Sequence, residues 1–197
     1  MCKFAPLNIG NGRILISVSR CLAVSKGWKN FLETYPALWQ DLKVNRDISN
    51  IALRAWLKRS EKANYGLRSA SMAFSDFNTK HLHQLKLIQR CPKLASLRLD
   101  IGPTDVTIHD IFPAGSYLKL RTLILFERSY LSLSNIKKLL ARLPVLQHVE
   151  FHDVIIDRAG QEVIPWPEMP NLRFILIHGT IGPLSGHLNL VSYVYSH

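Results

Sequence analysis

Cysteine is scarce and unpaired in this sequence: Cys2, Cys21 and Cys91 are widely spaced and no two form a Cys-x-x-Cys. That excludes a disulfide framework and a zinc ribbon, and it fits a reducing compartment, the nucleus or cytoplasm. Long apolar runs are also missing. The N-terminal run Ile14-Leu15-Ile16 is shorter than a signal-peptide core and far short of the roughly 20 residues that span a bilayer. Neither secretion nor membrane insertion is expected. The sequence has no glycine-rich phosphate loop, no nucleophile elbow and no carboxylate pair at acid–base spacing. Asp100, Asp105 and Asp110 read as turn or solvated residues. No enzyme activity, cofactor or metal is expected. Acidic residues are few, 14 against 25 Lys and Arg, for a net charge of +11. Residues 1–66 hold +7 of this excess and residues 67–197 the remaining +4. Such a balance favours an acidic partner, whether nucleic acid, acidic protein or anionic membrane surface, without choosing among them.

What is present is a period. The pattern Leu-x-x-apolar-x-apolar starts at Leu67, Leu94, Leu120, Leu146 and Leu172, with spacings of 27, 26, 26 and 26 residues. Regularity on that scale belongs to leucine-rich repeats rather than to helix periodicity. The first, fourth and sixth positions are Leu67, Ala70, Met72; Leu94, Leu97, Leu99; Leu120, Leu123, Leu125; Leu146, Val149, Phe151; and Leu172, Ile175, Ile177, all apolar. Proline stands two residues before three of the copies, at Pro92, Pro144 and Pro170, where it ends a preceding helix and presets an extended chain. Helical spacing of Leu82, Leu85 and Ile88, and of Ile136, Leu139, Leu140 and Leu143, predicts two return helices. Residues 162–170, with Pro165 and Pro167, predict an extended loop. The expected fold is an α/β leucine-rich-repeat solenoid of five strands in one parallel sheet, with the strand near Ala70 the weakest.

Strand alternation then places a candidate binding surface. If the apolar positions point inward, the third, fifth and seventh face the open, concave side: Ser96, Arg98, Asp100; Thr122, Ile124, Phe126; His148, Glu150, His152; and Phe174, Leu176, His178. Solvated positions should be polar, so Ile124, Phe126, Phe174 and Leu176 mark either a contact surface or packing under another segment, such as residues 188–195. Arg98, His148, Glu150, His152 and His178 complete the proposed substrate-binding face. The alternation of His148, Glu150 and His152 invites a metal reading, but a flat strand face lacks a closing shell, and a polar binding surface is preferred. Arg54, Lys58 and Lys62 form a basic stripe on a helix whose other face is read as Ile48, Ile51, Ala52, Ala55 and Trp56. It is either a phosphate grip or a solvated helix face.

Residues 22–44 read LAVSKGWKNFLETYPALWQDLKV. Through Leu22, Val24, Ser25, Lys26, Trp28, Pro36, Leu38 and Trp39 this resembles the second half of an F-box, and with the repeats the chain resembles an F-box/leucine-rich-repeat protein of fungal type. The branch that carries tetratricopeptide repeats ahead of the F-box is the suspected placement. The resemblance implies a substrate-recognition subunit of a Skp–cullin–F-box ubiquitin ligase, with Leu22, Val24, Trp28, Leu38 and Trp39 toward the ligase adaptor subunit and the repeats toward a protein substrate. Trp28 and Trp39 could equally be core anchors. The family's opening Leu-Pro and first helix have no match in residues 1–20, and a sixth repeat would fall beyond residue 197, so a partial F-box and a truncated product are expected. The implied organisation is an unassigned N-terminus at 1–21, partial F-box-like helices at 22–46, a linking amphipathic helix at 47–64 and repeats at 65–197. A ligase-independent repeat scaffold binding protein or nucleic acid is the alternative.

Overall fold

The computed structural model describes residues 25–35, 37–44, 48–62, 66–74, 77–102, 107–113, 115, 117–127, 130–157 and 167–181. In chain order the elements are α1 (Lys26–Thr34), α2 (Ala37–Gln40), β1 (Asp41–Val44), α3 (Asn50–Lys62), β2 (Ser69–Phe74), α4 (Thr79–Gln89), β3 (Ser96–Ile101), α5 (Ile108–Ile111), β4 (Thr122–Glu127), β5 (Tyr130–Ser132), α6 (Leu133–Ala141), β6 (His148–Asp157) and β7 (Phe174–Ile181). The fold is α/β, with one seven-stranded sheet in which every pairing is parallel. β1, β2, β3, β4 and β6 lie side by side in that order, β5 pairs with the second half of β6, and β7 pairs with β6 as well.

The register turns the sequence period into a distance. Ala70 pairs with Leu97, Leu97 with Leu123, Leu123 with Val149, and Val149 with Ile175. Each step along the sheet is therefore one period along the chain. A repeated hydrogen-bond pattern locks the step just before β3, β4, β6 and β7. The Arg68 carbonyl accepts from the amides of Ala95 (2.8 Å) and Ser96 (3.0 Å), the Ala95 carbonyl from Arg121 (2.8 Å) and Thr122 (3.0 Å), the Arg121 carbonyl from Gln147 (2.8 Å) and His148 (2.9 Å), and the Gln147 carbonyl from Arg173 (2.8 Å) and Phe174 (3.1 Å). Both lone pairs of these four carbonyls are used, and the amides that open β3, β4, β6 and β7 are matched.

The apolar positions form the core. All fifteen are buried except Leu172 and Ile177, which are half-buried against it. They face the helices, and α3, α4, α5 and α6 touch in sequence along that side. α4 and α6 fall where the spacing predicts them, burying Leu85, Ile88, Ile136, Leu139 and Leu140. Asn78 starts α4: its Oδ1 accepts from the amides of Lys80 (3.0 Å) and His81 (3.4 Å), while His81 Nδ1 accepts from the Asn78 amide (3.3 Å). These bonds satisfy donors that the first helical turn leaves open. Among its described residues the return from β3 to β4 holds the single turn α5, with Phe112 and Tyr117 filling the layer a longer helix occupies elsewhere.

Three expectations need correction. The segment 22–46 is not helical throughout, because residues 41–44 are a strand, Leu42 pairing with Ala70 and Val44 with Met72. Its alternation decides this: Leu42 and Val44 are buried while Asp41 and Lys43 are exposed. Trp39-x-x-Leu42-x-Val44 is thus a further copy of the strand pattern, hidden by tryptophan in the leucine position. Seven strands, not five, make the sheet, since β5 and β1 both join it. On α3, Ile51 is 82% exposed rather than internal. Ser49 caps this helix, its Oγ accepting from the Ala52 amide at 3.1 Å, and a start there turns Leu53, Trp56, Leu57 and Ser60 inward at i, i+3, i+4 and i+7.

One irregularity marks the far end of the sheet. Between Phe151 and Val154, β6 carries one residue more than β7, and Asp153 takes φ 58°. This is a bulge whose extra residue sits in the left-handed region that aspartate tolerates better than most side chains.

Candidate functional site

The open face of the sheet carries rows set by the same register. Arg98, Ile124, Glu150 and Leu176 form one row; Asp100, Phe126 and His152 a second; Thr122, His148 and Phe174 a third. Arg98 and Asp100 are exposed, as is His178, while Ile124, Phe126, His148, Glu150, His152, Phe174 and Leu176 are half-buried. Side chains one rung apart on a parallel sheet stand close enough to stack. Phe126 and His152 do so at 4.4 Å between centroids and 8° between planes, and His148 and Phe174 at 4.4 Å and 13°. The Arg98 guanidinium lies 4.5 Å from the Phe126 centroid, a cation over an aromatic face. His178 tilts against His152 at 6.2 Å.

Glu150 ties the two stacks together. Its Oε1 accepts from His148 Nε2 at 2.6 Å and its Oε2 from His152 Nε2 at 2.8 Å. An ionised carboxylate only accepts, so each imidazole must present its Nε2 proton to it. Partial burial on its own would raise the Glu150 carboxyl, but the hydrogen bonds from His152 and His148, with the charge of both rings, outweigh it and hold the carboxyl below its ordinary value. The result is a fixed polar centre, two ring stacks and two aliphatic neighbours, Ile124 and Leu176, on one face. Its capacity is for recognition: an aromatic or aliphatic side chain meets the rings, and a donor or cation meets the carboxylate edge. Among the described residues no group of three His, Cys, Asp or Glu is arranged to hold a metal ion.

The candidate residues of the N-terminal segment are not gathered in the same way. Leu22 and Val24 lie outside the described residues, and Trp28 falls on α1. Leu38 is half-buried against the core. Trp39 is 2% exposed, edge-on to Trp56 at 5.8 Å, with the Arg59 guanidinium 5.8 Å from its ring centroid. Its surroundings make it an anchor of the first rung. On α3, Arg54 and Lys58 are exposed, with Arg54 Nη2 3.4 Å from His83 Nε2 on α4.

The cross-strand ring pairs went unread in the sequence, although the signal was there. Once the period is written as aligned rows, Phe126 falls beside His152 and His148 beside Phe174. The buried amide of Gln84 was likewise unmarked; its Nε2 donates to the Ile48 carbonyl at 2.6 Å and joins α4 to the chain before α3. A lone glutamine in a helix gives no sign of that role. No helix among the described residues is long and apolar enough to cross a membrane. Comparison with family models, with curated proteins and with solved structures finds no match for this chain.

Proposed function

We propose that this chain is a leucine-rich-repeat adaptor that binds another protein on the open face of its sheet and has no catalytic role. The observation that carries the reading is the half-buried apolar set Ile124, Phe126, Phe174 and Leu176, spread over three neighbouring rows around the Glu150 centre. Large apolar side chains gathered on an open sheet face are anchors of the kind that dominate protein interfaces, and the fixed Glu150 pair adds directionality. A stacked parallel sheet holds such a face rigid over several rungs, which is what presenting a bound protein at a fixed place requires.

The finer reading is a substrate-recognition subunit of a Skp–cullin–F-box ubiquitin ligase, in which the open face takes the substrate and residues 22–46 face the ligase adaptor subunit. Its support is the likeness of residues 22–44 to half an F-box. A second reading, a ligase-independent scaffold, draws support from Trp39, which is used inside the first rung and is not on offer to a partner. Capture of the ligase adaptor subunit by the purified chain separates the two: retention favours the ligase reading, and its absence with an intact fold favours the scaffold. The open face has its own test, the double variant Phe126→Ser, Phe174→Ser. An unchanged melt with lost capture of a protein partner supports docking, whereas a large fall in Tm makes both rings internal packing and removes the site.

A further inference from the structure

Among the described residues, six cations stand along one edge of the sheet. In this parallel array β1, β2, β3, β4, β6 and β7 start at one rim, and the segments that lead into them end there too, while β5 lies at the other end. Arg68, Arg121 and Arg173 occupy the position just before β2, β4 and β7, while Lys119 lies two residues before Arg121, and Arg90 and Lys93 lead into β3. All six are exposed. Three exposed carboxylates, Asp41, Glu61 and Glu168, share that side of the described chain: the first opens β1, the second lies near the end of α3 and the third six residues ahead of β7, so the six cations outnumber them two to one. The opposite rim carries both signs among the described residues: Lys43 and Asp100 stand next to the ends of β1 and β3, and Asp153 at the bulge of β6.

Helix ends explain part of this pattern and no more. A cation at Arg90 answers the partial negative charge at the C-terminus of α4. Arg68, Arg121 and Arg173 follow no helix end directly and are set instead by the ladder, whose backbone bonds hold the Arg121 and Arg173 amides at 2.8 Å on the preceding rung. With rungs about 4.8 Å apart, the cations from the β2 rung to the β7 rung line roughly 19 Å of edge. Lys93 is braced over Gly66, φ 64°, where an added Cβ would meet the lysine Cδ at 3.2 Å.

We infer that this strand-start rim binds the phosphodiester backbone of a single-stranded nucleic acid. A single row of cations fits a single row of phosphates, and arginine suits phosphate through its forked donors. The rim is poor in what a protein interface needs at its centre, since Leu118 is the one strongly exposed large hydrophobic beside it among the described residues. The neighbouring position on the open face offers rings instead: Phe174 follows Arg173 directly, and it is stacked with His148, which follows Gln147. A base turned in from a backbone held on the rim meets that pair. The inference does not rest on the protein-binding reading: its phosphate contacts and its variants lie on the rim, and the Phe174–His148 pair is what the two share.

The test is fluorescence anisotropy of the full chain with labelled oligouridylate and oligothymidylate of about 15 nucleotides, titrated at salt between about 50 and 200 mM. Binding is expected, with log K falling by roughly 0.7 per phosphate contacted for each unit of log salt. The triple variant Arg68→Gln, Arg121→Gln, Arg173→Gln should weaken binding at least about tenfold and flatten the slope by about 2, three contacts at that increment, with Tm unchanged. Arg→Lys at the same positions, which keeps the charge, should retain most of the affinity. Binding of both oligomers or of one alone supports the rim, and a preference between them shows that the 2′-hydroxyl or the C5 methyl is read in addition to the phosphates. No binding at the lowest salt, unchanged binding by the triple Gln variant, or labelled polyglutamate bound as tightly and lost in the same variant would overturn the inference; the last would reassign the rim to an acidic protein.

Discussion

Single side chains in this molecule act through where the register puts them. Trp39 shows it best, a residue whose sequence context leaves a partner contact and a core anchor both open and whose place in the first rung makes it core. Trp39→Ala is expected to cost roughly 3–5 kcal/mol, read by urea denaturation. A loss under 1 kcal/mol would mean that the first rung is not packed as described. Cys91 is a second case: burial and the nearby Glu61 carboxylate push its thiol up to about 11, so its thiolate is rare at neutral pH. In a Cys2→Ser, Cys21→Ser background, alkylation at pH 8 should be slow in the folded chain and fast in urea; equal rates would contradict the burial. Glu150 supplies a pH test. Its carboxyl is depressed in the fold, so its contribution is full above the ordinary carboxylate value of about 4.3 and is lost as pH falls through the lower folded value. The Tm gap between the native chain and Glu150→Gln should be widest near neutrality and close on acidification, and a gap independent of pH would show that the two histidine bonds do not stabilise the fold.

At the level of elements, much of the sheet was legible and the reason is simple. An apolar triplet recurring every 26 residues can only bury itself by stacking, and the observed pairings of Leu97, Leu123, Val149 and Ile175 follow that spacing without a gap. Legibility failed where the pattern used other residues or another geometry. Trp39 stood for leucine and so concealed β1; Ile51 matched a helical face that the Ser49 cap rotates outward. β5 has no apolar triplet of its own and exists because β6 runs on past its bulge, giving Tyr130–Ser132 a partner at Ile155–Asp157. That bulge yields the element-scale prediction. Asp153→Val should lose roughly 1–2 kcal/mol, since a β-branched residue resists φ 58°, whereas Asp153→Gly should stay within about 0.5 kcal/mol. The urea midpoints of the two variants check it, and equal midpoints would argue that the bulge relaxes. The open-face site was legible as a list of positions; its ring stacks needed the third dimension that only row-by-row alignment supplies.

Over the whole molecule, each rung leans on its two neighbours, so position along the stack should matter more than residue type. Leu123 is fully buried with Leu97 on one side and Val149 on the other, whereas Ile175 belongs to the last described rung. Leu123→Ala is expected to cost roughly 2–5 kcal/mol and to lower the whole transition, with Ile175→Ala costing less, as followed by circular dichroism on heating. Equal losses would argue against a neighbour-coupled stack. The shared carbonyl ahead of β3, β4, β6 and β7 carries this logic into heredity. Because four successive rungs offer the next the same shared carbonyl, taking two amides at the same place, an insertion or deletion of one full period leaves each neighbour an equivalent backbone edge. An insertion of one residue inside a strand turns its core positions to the open side. Length in such a chain is therefore inherited in whole rungs, and the rim and open face can lengthen or shorten by duplication while their spacing stays fixed.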